Sequence, residues 1–146
     1  VSYDPTRDEL LVAERGKGAY VHGSKMQVSK EPGLAQSLIA TGFPADHLHA
    51  LPLNMQNIQT MAPKVRNLRV AGSAALHLAY VASGRLSGFW EIGLNAWDIA
   101  AGALLVEESG GRITDSRGEP YHLGVRDVVA SNGHIHDEFV GALKAH

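Results

Sequence analysis

The sequence predicts an α/β fold in which hairpin strands are followed by a mixed sheet covered by helices. Three observations carry this. The first third breaks at glycines into short strand-like runs. From Leu68 onward, strand-like runs alternate with apolar helical stretches. A content of 45% apolar and 19% charged residues in 146 positions suits one ordinary globular domain with a core.

The elements follow in order. "ELLVAERG" and "GAYVHGSKMQVS" are strands. Gly16-Lys17-Gly18 and His22-Gly23 supply hairpin turns that need positive φ. "DPTRD" (Asp4 to Asp8) is expected to turn into the first hairpin rather than bind metal. "SLIATGFP" (Ser37 to Pro44) is a further strand, ended by Gly42 and Pro44. The loop "ADHLHALPL" leads to Asn54, an expected N-cap for a helix with Met55, Ile58, Met61 and Val65 at helical spacing. Pro63 should end or kink it. "LRVAG" is a strand. Ser73 is expected to cap "AALHLAYVAS" and Gly84 to stop it. This helix is apolar on nearly every side, so it should lie between layers, with His77 partly buried and satisfied. "LSGFWEIG" is a strand, and the helix over Ile99 to Val106 closes at Gly110-Gly111. "RITD" and "DVVASN" are strands, and a last helix carries Ile135, Phe139 and Leu143 on one stripe.

Composition narrows the function. The formal net charge of −2 leaves no footprint for nucleic acid or an anionic membrane. The absence of cysteine excludes disulfides, zinc-thiolate sites and thiol catalysis, and suits a cytoplasmic protein. No apolar run approaches the roughly 20 residues of a membrane span. His134 and His136 stand two apart and cannot share a helix face, and with His47 and His49 they make no zinc pattern. No GxSxG-like motif marks a nucleophile. Val1, with no initiator methionine, is expected to be a cut end.

Two acids invite a functional reading. Asp98 stands three residues after Asn95, the spacing of a capping box. Alternatively it is a hard-metal ligand at the mouth of an apolar helix, where open α/β sheets place ligands and where magnesium would ask for one or two carboxylates. Glu91 ends a strand, either as an exposed acid or as an acceptor for substrate hydroxyls. "AGSAA" (Ala71 to Ala75) joins a strand to a helix start, as a tight turn or as a backbone anion cradle.

These residues also resemble a known family. "WEIGLNAWDIAAGALLVEESGG" is similar to the C-terminal signature of the inositol monophosphatase family, with its W-D-x-A-A-G core and closing glycine pair. "GSAALHLAYVASGRLSGFWE", "YDPTRDELLVAERGKGAYVHGSKMQVS" and "SLIATGFP" resemble the family's preceding elements in the family's order, with bacterial members nearest in style. The resemblance implies the C-terminal part of a layered α-β-α-β-α sandwich, with residues 1–44 ending the first sheet and 45–146 forming the second α/β layer. It implies a Mg2+-dependent, lithium-sensitive phosphomonoesterase, usually dimeric. Asp98 would ligate metal. Glu91 would contact substrate hydroxyls. Gly72, Ser73 and Ala74 would line the substrate pocket.

The family's remaining ligands, a glutamate in a G-E-E-like segment and the aspartates of D-P-x-D-G-T, do not occur in these 146 residues. The chain alone is therefore expected to be inactive, and its first strands to be covered by a companion N-terminal chain or a homodimer partner. The expected substrate is a small phosphorylated polyol, inositol 1-phosphate first, with histidinol phosphate, fructose bisphosphate or 3′-phosphoadenosine phosphate as alternatives. A non-catalytic interaction module on the same fold is the other reading. His77 and Ser87 stand where aspartate is expected in many bacterial relatives, and Asn95 falls in a variable stretch near the substrate.

Overall fold

The computed structural model describes residues 2–5, 7–44, 48–70 and 72–143. The first four strands, β1 (Ser2–Asp4), β2 (Glu9–Glu14), β3 (Gly18–Val21) and β4 (Ser24–Lys25), form an antiparallel meander in chain order. Both glycine turns form as expected. Gly16 and Gly18 flank one with φ of 81° and 84°, while His22 and Gly23 make the other with φ of 48° and 77°. Asp4 is buried and accepts a hydrogen bond from the Tyr80 hydroxyl at 2.7 Å, so it serves packing. Thr6 of "DPTRD" lies outside the described residues.

The second sheet contains β5 (Leu38–Thr41), β6 (Asn67–Val70), β7 (Gly88–Glu91), β8 (Arg112–Asp115) and β9 (Val128–Ser131), in the order β6-β5-β7-β9-β8. β5 runs parallel to β6 and β7, whereas β9 is antiparallel to β7 and β8. The sheet is mixed, as expected. The boundary expected at residue 44 falls earlier, because β5 is an inner strand of the second sheet and the first sheet ends at Lys25.

Period-2 alternation splits the apolar side chains of this sheet between two cores. Ala40, Phe89 and Ala130 face one way. They pack with α2 (Ala74–Ala82), α3 (Ala96–Glu108) and Leu11, Ala19 and Met26 of the first sheet region. Ile39, Trp90 and Val129 face the other way, against Met61 of α1 (Ala50–Met61) and Phe139 of α4 (His136–Ala142). The layers are therefore sheet, helix pair, sheet, helix pair. The outer face of the first sheet carries exposed Tyr3 opposite Leu10 and Val12 opposite Tyr20.

Polar contacts pin the middle helices to the first sheet at several points. Arg85, just past α2, makes a two-pronged pair with Glu9 at 2.7 and 2.8 Å, which holds the Glu9 carboxyl below its usual range. Glu108, at the end of α3, accepts from the N–H groups of Gly16 and Gly18.

Helix α1 departs from expectation. It starts at Ala50 with His49 at the N-cap position, so Asn54 lies inside it and is no cap. Pro52 is tolerated in the first turn, where its missing N–H leaves no bond unmade. Asn54 is instead fully buried. Its side chain accepts from the Trp90 indole N–H at 2.6 Å and donates to the Gly42 carbonyl at 2.8 Å. The buried stripe is Ala50, Asn54, Asn57 and Met61, and Met55 is exposed. The helix does end before Pro63. Ser73 caps α2 as expected, accepting from Leu76 N–H at 3.3 Å, and Gly84 follows its end with φ 81°.

Two histidines are buried more deeply than the sequence suggested. His77 packs at 4.9 Å against the Phe89 ring and its Nδ1 has no hydrogen-bond partner among the described residues, so it is not satisfied. Burial holds its pKa down. His136 lies between the Thr114 and Ser131 hydroxyls at 2.8 and 2.7 Å, one on each ring nitrogen. Burial pushes its pKa down to about 4. The unfolded chain takes up this proton near the ordinary value of 6.5, so the contribution to stability is complete above that pH and is lost as pH falls towards 4. Denaturant titrations at pH 7.5 and 4.5 should show a loss that includes roughly 2 kcal/mol from this group. His136→Gln should lose distinctly less between the two pH values, and equal losses would remove His136 as the cause.

Candidate active site

The parallel strands β5 and β7 end side by side, with Thr41 paired to Trp90 and Glu91 one residue beyond. Helices α2 and α3 both start at this end of the sheet. A cleft of about 340 Å³ opens there, lined by Gly72, Ser73, Ala74, Glu91 and Asp98, together with Phe43, Pro44 and Asn95. Asp98, Glu91, Gly72, Ser73 and Ala74 thus border one cavity. Ala71 and His47 lie outside the described residues.

Asp98 is at the third position of α3. Its carboxylate reaches back to the Asn95 N–H at 3.2 Å, completing the expected capping box. Capping and cleft-lining therefore coexist in one residue. The N–H groups of Ala74 and Ala75 open α2 before its backbone ladder begins, and they sit at the positive end of the helix dipole. Gly72 has open space where a Cβ would project.

Glu91 is half-buried at the strand end, and its pKa is pushed up to about 7, first by burial and second by the negative charge of Asp98. Gly42, read from sequence only as a strand terminator, permits this burial. A Cβ there would overlap the Glu91 carboxylate and lie 2.8 Å from its Cδ. The Gly42 carbonyl accepts from the Asn54 side chain, and the Thr41 hydroxyl donates to the Trp90 carbonyl at 2.8 Å. Gly42→Ala is expected to drive the Glu91 carboxyl towards water and return its titration towards the ordinary carboxylate range. A ¹³C-detected carboxyl titration would read this, and an unmoved midpoint would show that Gly42 is not the cradle.

Two close acids, one disfavouring the other's charge, form a donor set that fits a hard divalent cation taking one or two carboxylates plus water and substrate oxygens. Among the described residues, no group of three or more histidines or acids converges.

The chain matches the inositol monophosphatase family along residues 1–146. It belongs to that family. Inositol monophosphatase 2 of Solanum lycopersicum is 42% identical over 145 residues, covering 98% of this chain and 55% of that protein. Nus factor SuhB of Pasteurella multocida is 38% identical over 144 residues, covering 99% of this chain and 54% of that protein. The inositol monophosphatase structure from Anabaena superposes with a TM-score of 0.91 at 38% identity, covering 96% of this chain and 57% of that one. The chain thus spans about half the length of the inositol monophosphatase relatives it matches. The layered α/β architecture agrees with that family fold, and no described helix is long and apolar enough to cross a membrane.

Proposed function

We propose that this chain forms the C-terminal part of a Mg2+-dependent phosphatase that hydrolyses a phosphomonoester of a small polyol, inositol 1-phosphate first. The reading is carried by one observation: Glu91, Asp98 and the start of α2 share one cleft at the ends of parallel strands. Asp98 would hold Mg2+, which when bound supplies a Lewis acid and an activated water. The N–H groups of Gly72, Ser73 and Ala74 orient the phosphate at the α2 start, where anions are favoured. Glu91, half-protonated near neutral pH, both accepts from and donates to the polyol hydroxyls. The remaining metal ligands come from residues outside these 146. A homodimer partner or a companion chain covers the apolar outer face of the first sheet and its open edges.

The test is a phosphatase assay of the complete polypeptide on inositol 1-phosphate with magnesium, repeated with lithium. Turnover that needs magnesium and falls with lithium is expected. The 146-residue chain alone should give none, because one metal-holding carboxylate, Asp98, cannot order a metal cluster for in-line displacement. Metal-dependent turnover by this chain alone, abolished by Asp98→Ala, would overturn that expectation.

A second reading rests on the name Nus factor carried by the Pasteurella multocida relative. On it, this chain is a non-catalytic interaction module. A complete polypeptide with no magnesium-dependent turnover on any phosphorylated polyol would favour it.

A further inference from the structure

The connection between β8 and β9 builds a second cavity against the first. Glu91 pairs with Val128, so Arg126 and Asp127 flank the loop that follows Glu91. Two bonds fasten that loop. Leu94 N–H donates to the Arg126 carbonyl at 2.9 Å, and Gly93 N–H donates to the Asp127 carboxylate at 3.1 Å. Gly93 borders the cleft of Glu91 and Asp98 and also a larger cleft of about 570 Å³. The two cavities therefore share a wall.

The lining of the larger cleft selects its ligand. Arg117, Arg126, Asp115, Asp127 and His122 line it, and the four formal charges cancel. Asp115 accepts from the N–H groups of Arg117 and Glu119 at 2.8 and 3.0 Å, which fixes its carboxylate in place. His122 accepts from Gly124 N–H through Nδ1 at 3.0 Å, which leaves its proton on Nε2 as a donor. The residues of this lining thus carry both guanidinium donors and carboxylate acceptors at zero net formal charge. A second phosphate would meet both carboxylates, and a polyamine would meet both guanidiniums. Hydroxyl groups donate and accept at once, so a neutral polyhydroxylated ring answers both kinds of partner.

We propose that this second cleft is a subsite for a neutral, hydroxyl-rich extension of the substrate, such as a glycosyl or second polyol unit, on the molecule whose phosphate enters the first cleft. The catalytic half of this inference rests on the phosphatase reading above; the binding half does not.

The test has two arms. In the first, the ¹⁵N-labelled complete protein is titrated at fixed ionic strength with trehalose, inorganic phosphate or spermidine. Trehalose should give saturable shifts at Gly93, His122, Gly124 and Arg126. These should persist in Asp98→Asn and vanish in Arg126→Ala. Absence of saturable shifts with trehalose, or tighter saturation of the same signals by phosphate or spermidine, would overturn the proposal. In the second arm, kcat/KM is compared for trehalose 6-phosphate and glucose 6-phosphate, which differ by one neutral glucosyl unit. The ratio should favour the disaccharide by about tenfold and collapse towards one in Arg126→Ala. A ratio that Arg126→Ala leaves unmoved would overturn the extended-substrate claim. If inositol 1-phosphate is hydrolysed and neither sugar ester is, the extended-substrate claim is overturned; if inositol 1-phosphate is not hydrolysed either, the phosphatase reading falls, while the shift titration still decides the subsite.

Discussion

Asp98→Ala should lower kcat/KM of the complete polypeptide on inositol 1-phosphate by about a hundred- to a thousandfold, the scale seen when a group stabilising transition-state charge is removed. The same substitution also deletes the reach-back arm of the α3 capping box, at a cost of about 0.5–2 kcal/mol of stability. The two effects differ enough in size to be separated. Asp98→Asn keeps an oxygen that can accept from the Asn95 N–H but removes the charge. It should therefore remain nearly as stable as the parent in thermal melts, yet lose nearly as much activity as Asp98→Ala. An Asp98→Asn enzyme of near-parental rate would show that the residue is a cap and nothing more.

Glu91→Gln should make the metal-free protein more stable at pH 8 and leave it little changed at pH 4. Burial and Asp98 raise the folded-state pKa of Glu91 from 4.5 to about 7. The sign follows from linkage: the folded form disfavours the charge, so the penalty is absent below 4.5, grows between 4.5 and 7, and is complete above 7. The neutral amide removes it, for a gain of about 2–3 kcal/mol after allowing for partial exposure. Denaturant titrations of both proteins in chelator across this range would read it. Parallel stability curves would mean that Glu91 is not held at a cost. A residue that weakens its own fold at working pH is one retained for what it does in the cleft.

Much of this was legible in the sequence because it was written locally. Glycines that need positive φ fix the two hairpins. Ser73 and Asn95 stand immediately before the helices they start, and Asp98 is within one turn of its partner. The strand-helix alternation is likewise a matter of neighbouring residues. What was not legible depends on distant partners. Asn54 looks like a helix cap until Trp90, thirty-six positions away, takes its side chain. Leu38–Thr41 reads as the end of the hairpin region until β6 and β7 flank it. Gly42 looks like a strand terminator because the carboxylate that needs its missing Cβ is on another strand. Arg126 carries no motif at all; its nearness to Glu91 follows only from the register of β9 on β7.

The contact between Gly102 of α3 and Leu78 of α2 has a consequence of its own. A Cβ at Gly102 would stand 2.5 Å from Leu78 Cβ, so the two helices touch there with nothing between them. Each contact residue lies four positions, about one turn, behind a residue that lines the cleft: Gly102 behind Asp98, and Leu78 behind Ala74. The pair works like the pivot of a caliper whose tips are the two helix starts. The gap between Asp98 and the α2 backbone is thereby gauged from inside the core, and a single methyl group at position 102 would reset it without touching any group in the cleft.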